Sequence, residues 1–402
     1  MMRSVNLATV VPILSRSWPR MIGVLGLLTL FWACYPSART SYTSPQDSTV
    51  SQWLIEFRTG EDKVQMTFRY SAPHKNDSGW SSNSHSFPIS PDELQGLTRA
   101  QAMSSGTHVQ FQLKRDAGTF NCDGWFKDGN GAGHFTFEPN ASYAADLKKQ
   151  GFGEPTYEQQ FSMAMNDVSW AFIKELQDQG YDKPTLDQLV KLGNHGVRLE
   201  YIQGLKSLGY MVRSIDYLTR MRDHGVSVNY IREMADLGYK QLTADDLIRN
   251  KDHGVNPTFI RDLAVMGYDH LSLEQLVRAK DHGVHPEFVK EFIAAGYPRL
   301  PLDELITLRD HGVNTNYVSE LAALGYAHLP LEELRAMRSQ GVSVQFIQEL
   351  KQIGYDHVAI EQLIRLRNHG VNAAYIQKMK ARGYNAQSLD EWIDMRNRGV
   401  RD

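Results

Sequence analysis

The hydrophobic positions of the chain recur with a period of 29 residues from about Gly151 onward. In residues 199–208, for example, apolar side chains stand at Tyr201, Ile202, Leu205 and Leu208. This spacing of i, i+1, i+4 and i+7 is typical of a helix that buries one face. Because the stripe returns in every period, residues 144–402 are predicted to form an α-solenoid of about nine helix-turn-helix units.

Two short sequence markers, His-Gly-Val and Gly-Tyr, recur with the same 29-residue period as the apolar stripe. The glycine of each marker can adopt the left-handed conformation that ends a helix, so the markers predict the two helix ends of every unit. In a degenerate first unit, Asn166 and Asp167 replace His-Gly, which is typical of a capping repeat. The first marker, His-Gly-Val, begins at His195, His224, His253, His282, His311 and His369, with Gln340 and Arg398 in place of histidine in two further copies. The second marker, Gly-Tyr, begins at Gly180, Gly209, Gly238, Gly267, Gly296, Gly325, Gly354 and Gly383.

The start of each first helix is also marked in the sequence. Thr185 precedes Gln188 by three residues, which is the spacing of a capping box. The pairs Thr243/Asp246, Ser272/Gln275 and Ser388/Glu391 share this spacing, and Pro301 and Pro330 suit the first turn of two further helices. A carboxylate follows in every first turn, and the helix dipole explains all copies better than calcium binding or catalysis does. These carboxylates are Asp187, Asp216, Asp245, Glu274, Asp303, Glu332, Glu361 and Asp390.

Six histidines in register suggest a metal site, but geometry argues against this interpretation. Equivalent residues of stacked helical units lie roughly 8–10 Å apart, whereas imidazoles that share a zinc ion each place a nitrogen about 2.0–2.1 Å from it. A polar residue facing the carbonyls at the helix end explains His195, Gln340 and Arg398 alike. The histidines are therefore interpreted as structural, and no metal or cofactor is predicted.

Residues 51–143 change to a hydrophobic period of two, which is typical of half-buried strands. They predict a small antiparallel β domain of five or six strands, so the fold class is α+β with the solenoid following. A short helix is predicted within residues 91–97, after a stretch rich in Ser, Asn and Gly. The Gly-rich residues 128–133 predict a tight hairpin rather than a phosphate-binding loop, because no helix begins after them. The alternating segments are residues 53–58, 64–70, 109–114, 119–123 and 134–138.

Residues 1–34 are typical of an export signal. Basic residues precede an apolar run of 13 residues, 21–33, which is shorter than the span of about 20 residues that a membrane helix needs. Cys34 follows this run as in the lipobox of bacterial lipoproteins, although Phe31 and Trp32 depart from the usual lipobox. Two outcomes stay open, namely acylation of Cys34 and a plain cleaved signal peptide. Residues 35–50, rich in Ser, Thr and Pro, are predicted to be a linker.

Composition and cysteine usage narrow the function classes. A net charge of −3 argues against nucleic-acid binding, which normally requires a basic surface. Cys122, the other of the two cysteines, falls in a predicted strand and is interpreted as a buried small hydrophobe rather than a reactive thiol. No nucleophile motif is present, so no catalytic residue is assigned.

The unit Gly-Tyr…Asp-x-Leu-Ile…Asp-His-Gly-Val…Tyr-Ile-x-Glu-Leu resembles the C-terminal repeats of bacterial membrane metallopeptidases related to beta-lactam-sensing antirepressors. Residues 114–140, which include Gly-Trp-Phe-Lys-Asp-Gly-Asn-Gly-Ala-Gly-His-Phe, are similar to the β segment before those repeats. The resemblance covers roughly residues 50–402 and excludes the peptidase itself, because the chain contains no His-Glu-x-x-His motif. It implies a protein of the bacterial envelope that carries only the accessory, partner- or ligand-sensing part.

Three hypotheses of function follow. The first is an exported, non-enzymatic scaffold of the cell envelope that binds a protein or an envelope polymer through its repeats. Such a scaffold would meet the membrane only through the N-terminal signal or a lipid anchor. The second is a sensor or regulatory accessory protein of a membrane signalling system. The third is a hydrolase at the junction of the β domain and the repeats, with Asp123, His134 and Asp167 as the available residues.

Overall fold

The computed structural model describes residues 51–58, 62–73 and 80–400. It confirms the predicted fold class, a small antiparallel β domain followed by a long array of short helices. The predicted signal segment, the predicted linker and Cys34 lie outside the described residues.

The β domain is a single antiparallel sheet with the strand order β3-β2-β1-β7-β6-β5-β4. Side chains alternate between a buried face and an open face, as the period of two requires. A 3-10 turn at Pro91–Glu93 and a short helix α1 (Arg99–Ala102) lie beside the sheet. The strands are β1 (Gln52–Glu56), β2 (Val64–Pro73), β3 (Trp80–Ile89), β4 (Leu94–Gln95), β5 (Thr107–Arg115), β6 (Gly118–Lys127) and β7 (Asn130–Pro139).

The sheet differs from the prediction between residues 71 and 102. Strand β3 was missed, and the helix expected within residues 91–97 is a single 3-10 turn followed by β4. β3 is an edge strand that pairs only with β2, and its sequence is mostly polar, so it carries little apolar alternation. The hairpin prediction is confirmed, because Asp128 and Gly129 adopt positive φ angles of 50° and 84° between β6 and β7.

Two series of nine-residue helices form the array, and successive helices of each series begin 29 residues apart. One unit consists of a first helix and the second helix that follows it. The first helices are α3 (Tyr157–Met165), α5 (Leu186–Asn194), α7 (Ile215–Asp223), α9 (Ala244–Asp252), α11 (Leu273–Asp281), α13 (Leu302–Asp310), α15 (Leu331–Ser339), α17 (Ile360–Asn368) and α19 (Leu389–Asn397). The second helices are α2 (Ala141–Lys149), α4 (Trp170–Asp178), α6 (Leu199–Ser207), α8 (Val228–Asp236), α10 (Pro257–Val265), α12 (Pro286–Ala294), α14 (Thr315–Ala323), α16 (Val344–Gln352) and α18 (Ala373–Ala381).

The helix starts agree with most of the predicted caps. The capping boxes at Thr185, Thr243 and Ser272 are confirmed, with both reciprocal hydrogen bonds present. At Ser388 the hydroxyl accepts from the Glu391 N–H, but the Glu391 carboxylate accepts from Gln387 N–H instead of closing the box. Pro301 and Pro330 occupy the N-cap position rather than the first turn.

The curved sheet closes over an aromatic core that α3 completes. The ring centroids of Phe68 in β2 and Phe120 in β6 are 4.8 Å apart, although two strands lie between them. Flat strands at that separation would be about 14 Å apart, so the sheet must curve around this core. Phe161 of α3 packs against Phe120, Phe137 and Tyr70, with centroid distances of 5.7, 5.3 and 5.0 Å. Helix α3 is therefore part of the β-domain core.

A tyrosine hydroxyl links each of several second helices to the next unit. The Tyr201 hydroxyl donates to the Val226 carbonyl at 3.0 Å, 25 residues further along the chain. Tyr143 makes the same bond to Val168 at 2.8 Å, so α2 takes the place of a second helix. The bond recurs for Tyr230–Val255, Tyr317–Val342 and Tyr375–Val400.

A cation from the following unit lies over the same aromatic ring. The Arg222 guanidinium carbon is 5.0 Å from the Tyr201 ring centroid, and its Nε donates to the Gly196 carbonyl at 3.0 Å. Cation–π contacts of this kind contribute about 0.5–1 kcal/mol at partly exposed sites. The equivalent cations are Lys251, Lys280, Arg309, Arg338, Arg367 and Arg396, each over the ring of its own preceding unit.

The tyrosine bond gives a direct test of coupling between units. We expect Tyr230→Phe to lower the free energy of unfolding by about 1 kcal/mol, because the Val255 carbonyl loses a buried donor. Urea unfolding followed by circular dichroism measures the change. Tyr384→Phe is the matched control, since the Tyr384 side chain is 43% exposed and should tolerate loss of its hydroxyl. Equal destabilisation by both substitutions would contradict a specific role for the Tyr230 hydroxyl.

Candidate functional site

The recurrent histidines bind the neighbouring unit, not the helix carbonyls that were expected. His195 is the C-cap of α5, and its Nδ1 lies 2.5 Å from the Asp223 carboxylate of the next first helix. An ionised carboxylate only accepts hydrogen bonds, so Nδ1 must carry the proton. The helix-end carbonyls are already used by backbone N–H groups, for instance that of Leu192 by Val197. The same link joins His224 to Asp252, His253 to Asp281 and His282 to Asp310, and a neutral side chain replaces the acid in His311–Ser339 and His369–Asn397.

The first-turn carboxylates also bind across units. Asp216 accepts from Lys191 at 3.1 Å, and Glu274 pairs with Arg249 at 2.6 Å. Such exposed pairs are each worth roughly 0.2–1 kcal/mol, so each adds little to the stability of the array. Further pairs are Arg220–Asp245, Arg278–Asp303 and Arg365–Asp390. Among the described residues, no group of three or more His, Cys, Asp or Glu side chains is arranged to hold a metal ion.

The structure brings two of the three hydrolase candidates together. Asp123 of β6 and His134 of β7 are cross-strand partners on the open face of the sheet. The Gln110 amide donates to one Asp123 oxygen at 2.7 Å, and the His108 imidazole lies 3.1 Å from the other. Both contacts lower the pKa of the Asp123 carboxyl from its ordinary value, and the hydrogen bond from Gln110 has the larger effect.

Asp167 lies at a different place, beside the β5–β6 hairpin. Its carboxylate is 3.6 Å from the Arg115 guanidinium, five residues along β5 from Gln110 and on the other face of the sheet. Five residues of strand span roughly 17 Å, so Asp167 does not join Asp123. Burial raises the pKa of Asp167 while Arg115 opposes that shift, but 49% of its side-chain surface is exposed, so the effect on stability is small.

The hairpin beside Asp167 attaches the sheet to the array. The Asp116 carboxylate accepts from the Trp170 N–H at the start of α4, at 2.7 Å. Arg115 also binds Glu93 at 2.5 Å, and the Asn140 amide donates to the Asp116 carbonyl. These contacts give the junction a structural role that is independent of any chemistry.

An exposed tryptophan on the sheet was missed by the sequence interpretation. Trp125 of β6 has 61% of its surface exposed and lies edge-on to His108, with centroids 5.1 Å apart. The alternation of residues along β6 would have revealed this exposure. Phe126 and Cys122 are buried, and with a period of two Trp125 must then lie on the open face. Two shallow depressions of about 530 and 360 Å³ occupy this face.

The array carries an exposed apolar surface on three successive second helices. Val265 at the end of α10 is 87% exposed, and Ile293 of α12 is 44% exposed. Ala294, Ala322 and Ala323 are also exposed and continue this surface onto α12 and α14. We call these five residues the apolar patch. At the Val265 position, α8 has Asp236 and α16 has Gln352, so the patch ends on both sides.

A row of carboxylates borders the apolar patch. Asp262, Glu291 and Glu320 occupy the same position on α10, α12 and α14, three residues before the last patch residue of each helix, and all are exposed. Successive second helices stack, so neighbouring carboxylates lie roughly 8–10 Å apart. The surface therefore combines apolar side chains with a row of carboxylates, beside which Arg261 and Lys290 add two exposed cations.

Comparisons with known proteins do not assign the chain to a family. No protein-family model matches it, and no curated protein is significantly similar to it. The resemblance to metallopeptidase repeats therefore stays a proposal. Within the described residues, no helix has the length and apolar character needed to cross a membrane.

Burial of Cys122 can be tested chemically. The side chain is 3% exposed in the β-domain core, and burial raises the pKa of its thiol. In a Cys34→Ala background we expect a thiol reagent to react with Cys122 only after unfolding, because the thiolate is the reactive form. Absorbance of the released thiol product measures the rate, with the same protein in guanidinium as the control. Rapid labelling of the native protein would show that this part of the sheet opens readily.

Proposed function

We propose that the chain is a non-enzymatic interaction protein of the bacterial cell envelope that binds a protein partner through its helical repeats. The apolar patch carries this proposal. Solenoids present extended surfaces for binding, and recognition on them needs residues that the stacking of units does not use. The histidine, tyrosine and cation positions are used between units, whereas the apolar patch breaks the repeat pattern at the surface.

The patch favours a protein over a polymer as the occupant. Exposed apolar side chains such as Val265 and Ile293 gain by contact with other apolar side chains, which proteins supply. The border of Asp262, Glu291 and Glu320 complements a partner with Lys or Arg beside its apolar residues. We therefore propose a partner segment with an apolar stripe and a basic margin, laid across α10, α12 and α14.

The other hypotheses have less support. Asp167 is separated from Asp123 and His134, which leaves the hydrolase hypothesis without a convergent set of residues. The envelope location is supported by the signal-like residues 1–34 and by the resemblance to membrane metallopeptidase repeats. The sensor hypothesis depends on that resemblance alone.

Photo-crosslinking tests the proposed docking surface. We expect a photoreactive phenylalanine analogue at position 265 of the full chain to crosslink an envelope protein in cells. The combined change Val265→Glu and Ile293→Glu should lower recovery of that protein at least about tenfold, because it places charge in an apolar contact and beside an acidic border. Immunoblotting of crosslinked adducts and quantitative mass spectrometry measure the two results.

Position 352 provides the matched control, because Gln352 of α16 occupies the same place in its helix as Val265 does in α10. The analogue at position 352 should give no adduct, and Gln352→Glu should leave recovery unchanged. Equal crosslinking at both positions would refute the patch as the docking surface. So would full recovery by the doubly substituted protein, provided its circular dichroism spectrum is unaltered.

A further inference from the structure

The open face of the sheet places an apolar strip beside a polar row. In the strip, Trp125 of β6 is paired with Ala132 of β7, and Ala132 with Leu54 of β1. One step along the strands, Asp123 is paired with Gln110 on one side and His134 on the other. Residues two apart on a strand are separated by about 6.8 Å, so the strip and the row are close enough for one small ring to meet both.

The exposure of Trp125 requires an explanation. Trp53 and Trp392 are fully buried, whereas Trp125 keeps 61% of its surface in water on the open face of the sheet. Its ring lies at 61° to the His108 ring, with centroids 5.1 Å apart, so the indole has a neighbour that restrains it while leaving a face open. A restrained, exposed indole is a suitable platform for a flat ligand surface made of C–H groups.

The polar row is held in place before any ligand arrives. Both Asp123 oxygens accept contacts, from the Gln110 amide at 2.7 Å and the His108 imidazole at 3.1 Å. One step further along, the Gln112 amide donates to the Asn121 carbonyl at 2.7 Å. Side-chain amides have both a donor and an acceptor end, and each of these glutamines uses its donor end, which leaves its carbonyl to accept. The row therefore offers fixed groups of both kinds.

The charge of these residues excludes several ligand classes. The strip and the row contain one carboxylate, Asp123, and no lysine or arginine. Beyond the strip, Lys127 and Glu56 add one cation and a second carboxylate to the same face. A phosphate-rich or sulfated polymer would meet two carboxylates and a single lysine, so nucleic acids and acidic polymers fit poorly. A purely apolar ligand would remove the water from Asp123 and Gln110 without replacing their hydrogen bonds.

A peptide is also a poor fit. Extended peptides usually add to a sheet edge, where backbone groups are unpaired. β6 and β7 lie inside the sheet, and their backbone groups are paired with strands on both sides. A ligand here must be recognised by side chains alone, through one aromatic ring and a row of hydrogen-bonding groups that includes one carboxylate.

We propose that this face binds a neutral glycan. A pyranose ring would stack its C–H face on Trp125, and its hydroxyls would bind Asp123, Gln110 and His134. Asp123, Gln110 and His134 of the row line the depression of about 530 Å³, and Leu54 and Ala132 of the strip line the one of about 360 Å³. A linear glycan would therefore extend from one depression to the other beside Trp125. This site is separate from the apolar patch and does not depend on it.

Binding of defined sugars by the full chain tests the glycan site. The probes are a soluble N-acetylglucosamine oligomer and a soluble neutral glucan, with heparin as the polyanion. Isothermal titration calorimetry and affinity electrophoresis should detect binding of at least one neutral probe. Trp125→Ala should weaken that binding at least about tenfold, and Gln110→Ala should weaken it severalfold. Trp125→Phe should retain part of it, because a smaller ring still stacks.

The controls separate loss of the site from loss of the fold. Tyr384→Ala removes an exposed aromatic ring of the last repeat and should leave glycan binding unchanged. In the Cys34→Ala background, protection of Cys122 from thiol reagents should be equal with and without the Trp125 and Gln110 substitutions. The proposal is overturned if neither neutral probe binds, if Trp125→Ala binds them as well as the wild type does, or if heparin alone binds.

Discussion

Contact between successive units is the interaction on which the array depends. Each helix has nine residues, and isolated helices shorter than about 12–15 residues are marginal in water. A unit therefore gains its stability by burying an apolar stripe such as Tyr201, Ile202 and Leu205 against its neighbours. The Tyr201 hydroxyl and the Arg222 guanidinium then fix the distance and the register of the next unit. Such local, repeated contacts explain why one sequence period of 29 residues is kept so strictly.

That dependence also determines how much of the fold could be predicted from the sequence. In the array, helix ends follow from local chemistry, and glycines such as Gly196 were correctly expected to end helices because they can adopt positive φ. In the sheet, local pattern was enough for β1, β2, β5, β6 and β7 but failed for β3 and for the two-residue β4. An edge strand is held by its neighbour's backbone and needs no apolar alternation of its own, so only the tertiary structure reveals it.

The candidate sites were less accessible to sequence reasoning. Asp123 and His134 were singled out, but their pairing depends on the register of β6 and β7, which a period of two does not provide. Similarly, the partner of His195 lies one unit away, so the histidine could be placed at a helix end without its carboxylate being identified. The apolar patch went unnoticed because Val265 matters only through its exposure and its neighbours on α12 and α14.

The tyrosine bond of α2 has a consequence for the length of the array. Tyr143 reaches the Val168 carbonyl as Tyr201 reaches that of Val226, so α2, which directly follows the sheet, makes to the first unit the same contact that several units make to the next. Loss or duplication of a single internal period would therefore leave the contact between α2 and the first unit intact. Evolution could lengthen or shorten this protein by recombination within its own gene while the sheet at one end stays unchanged.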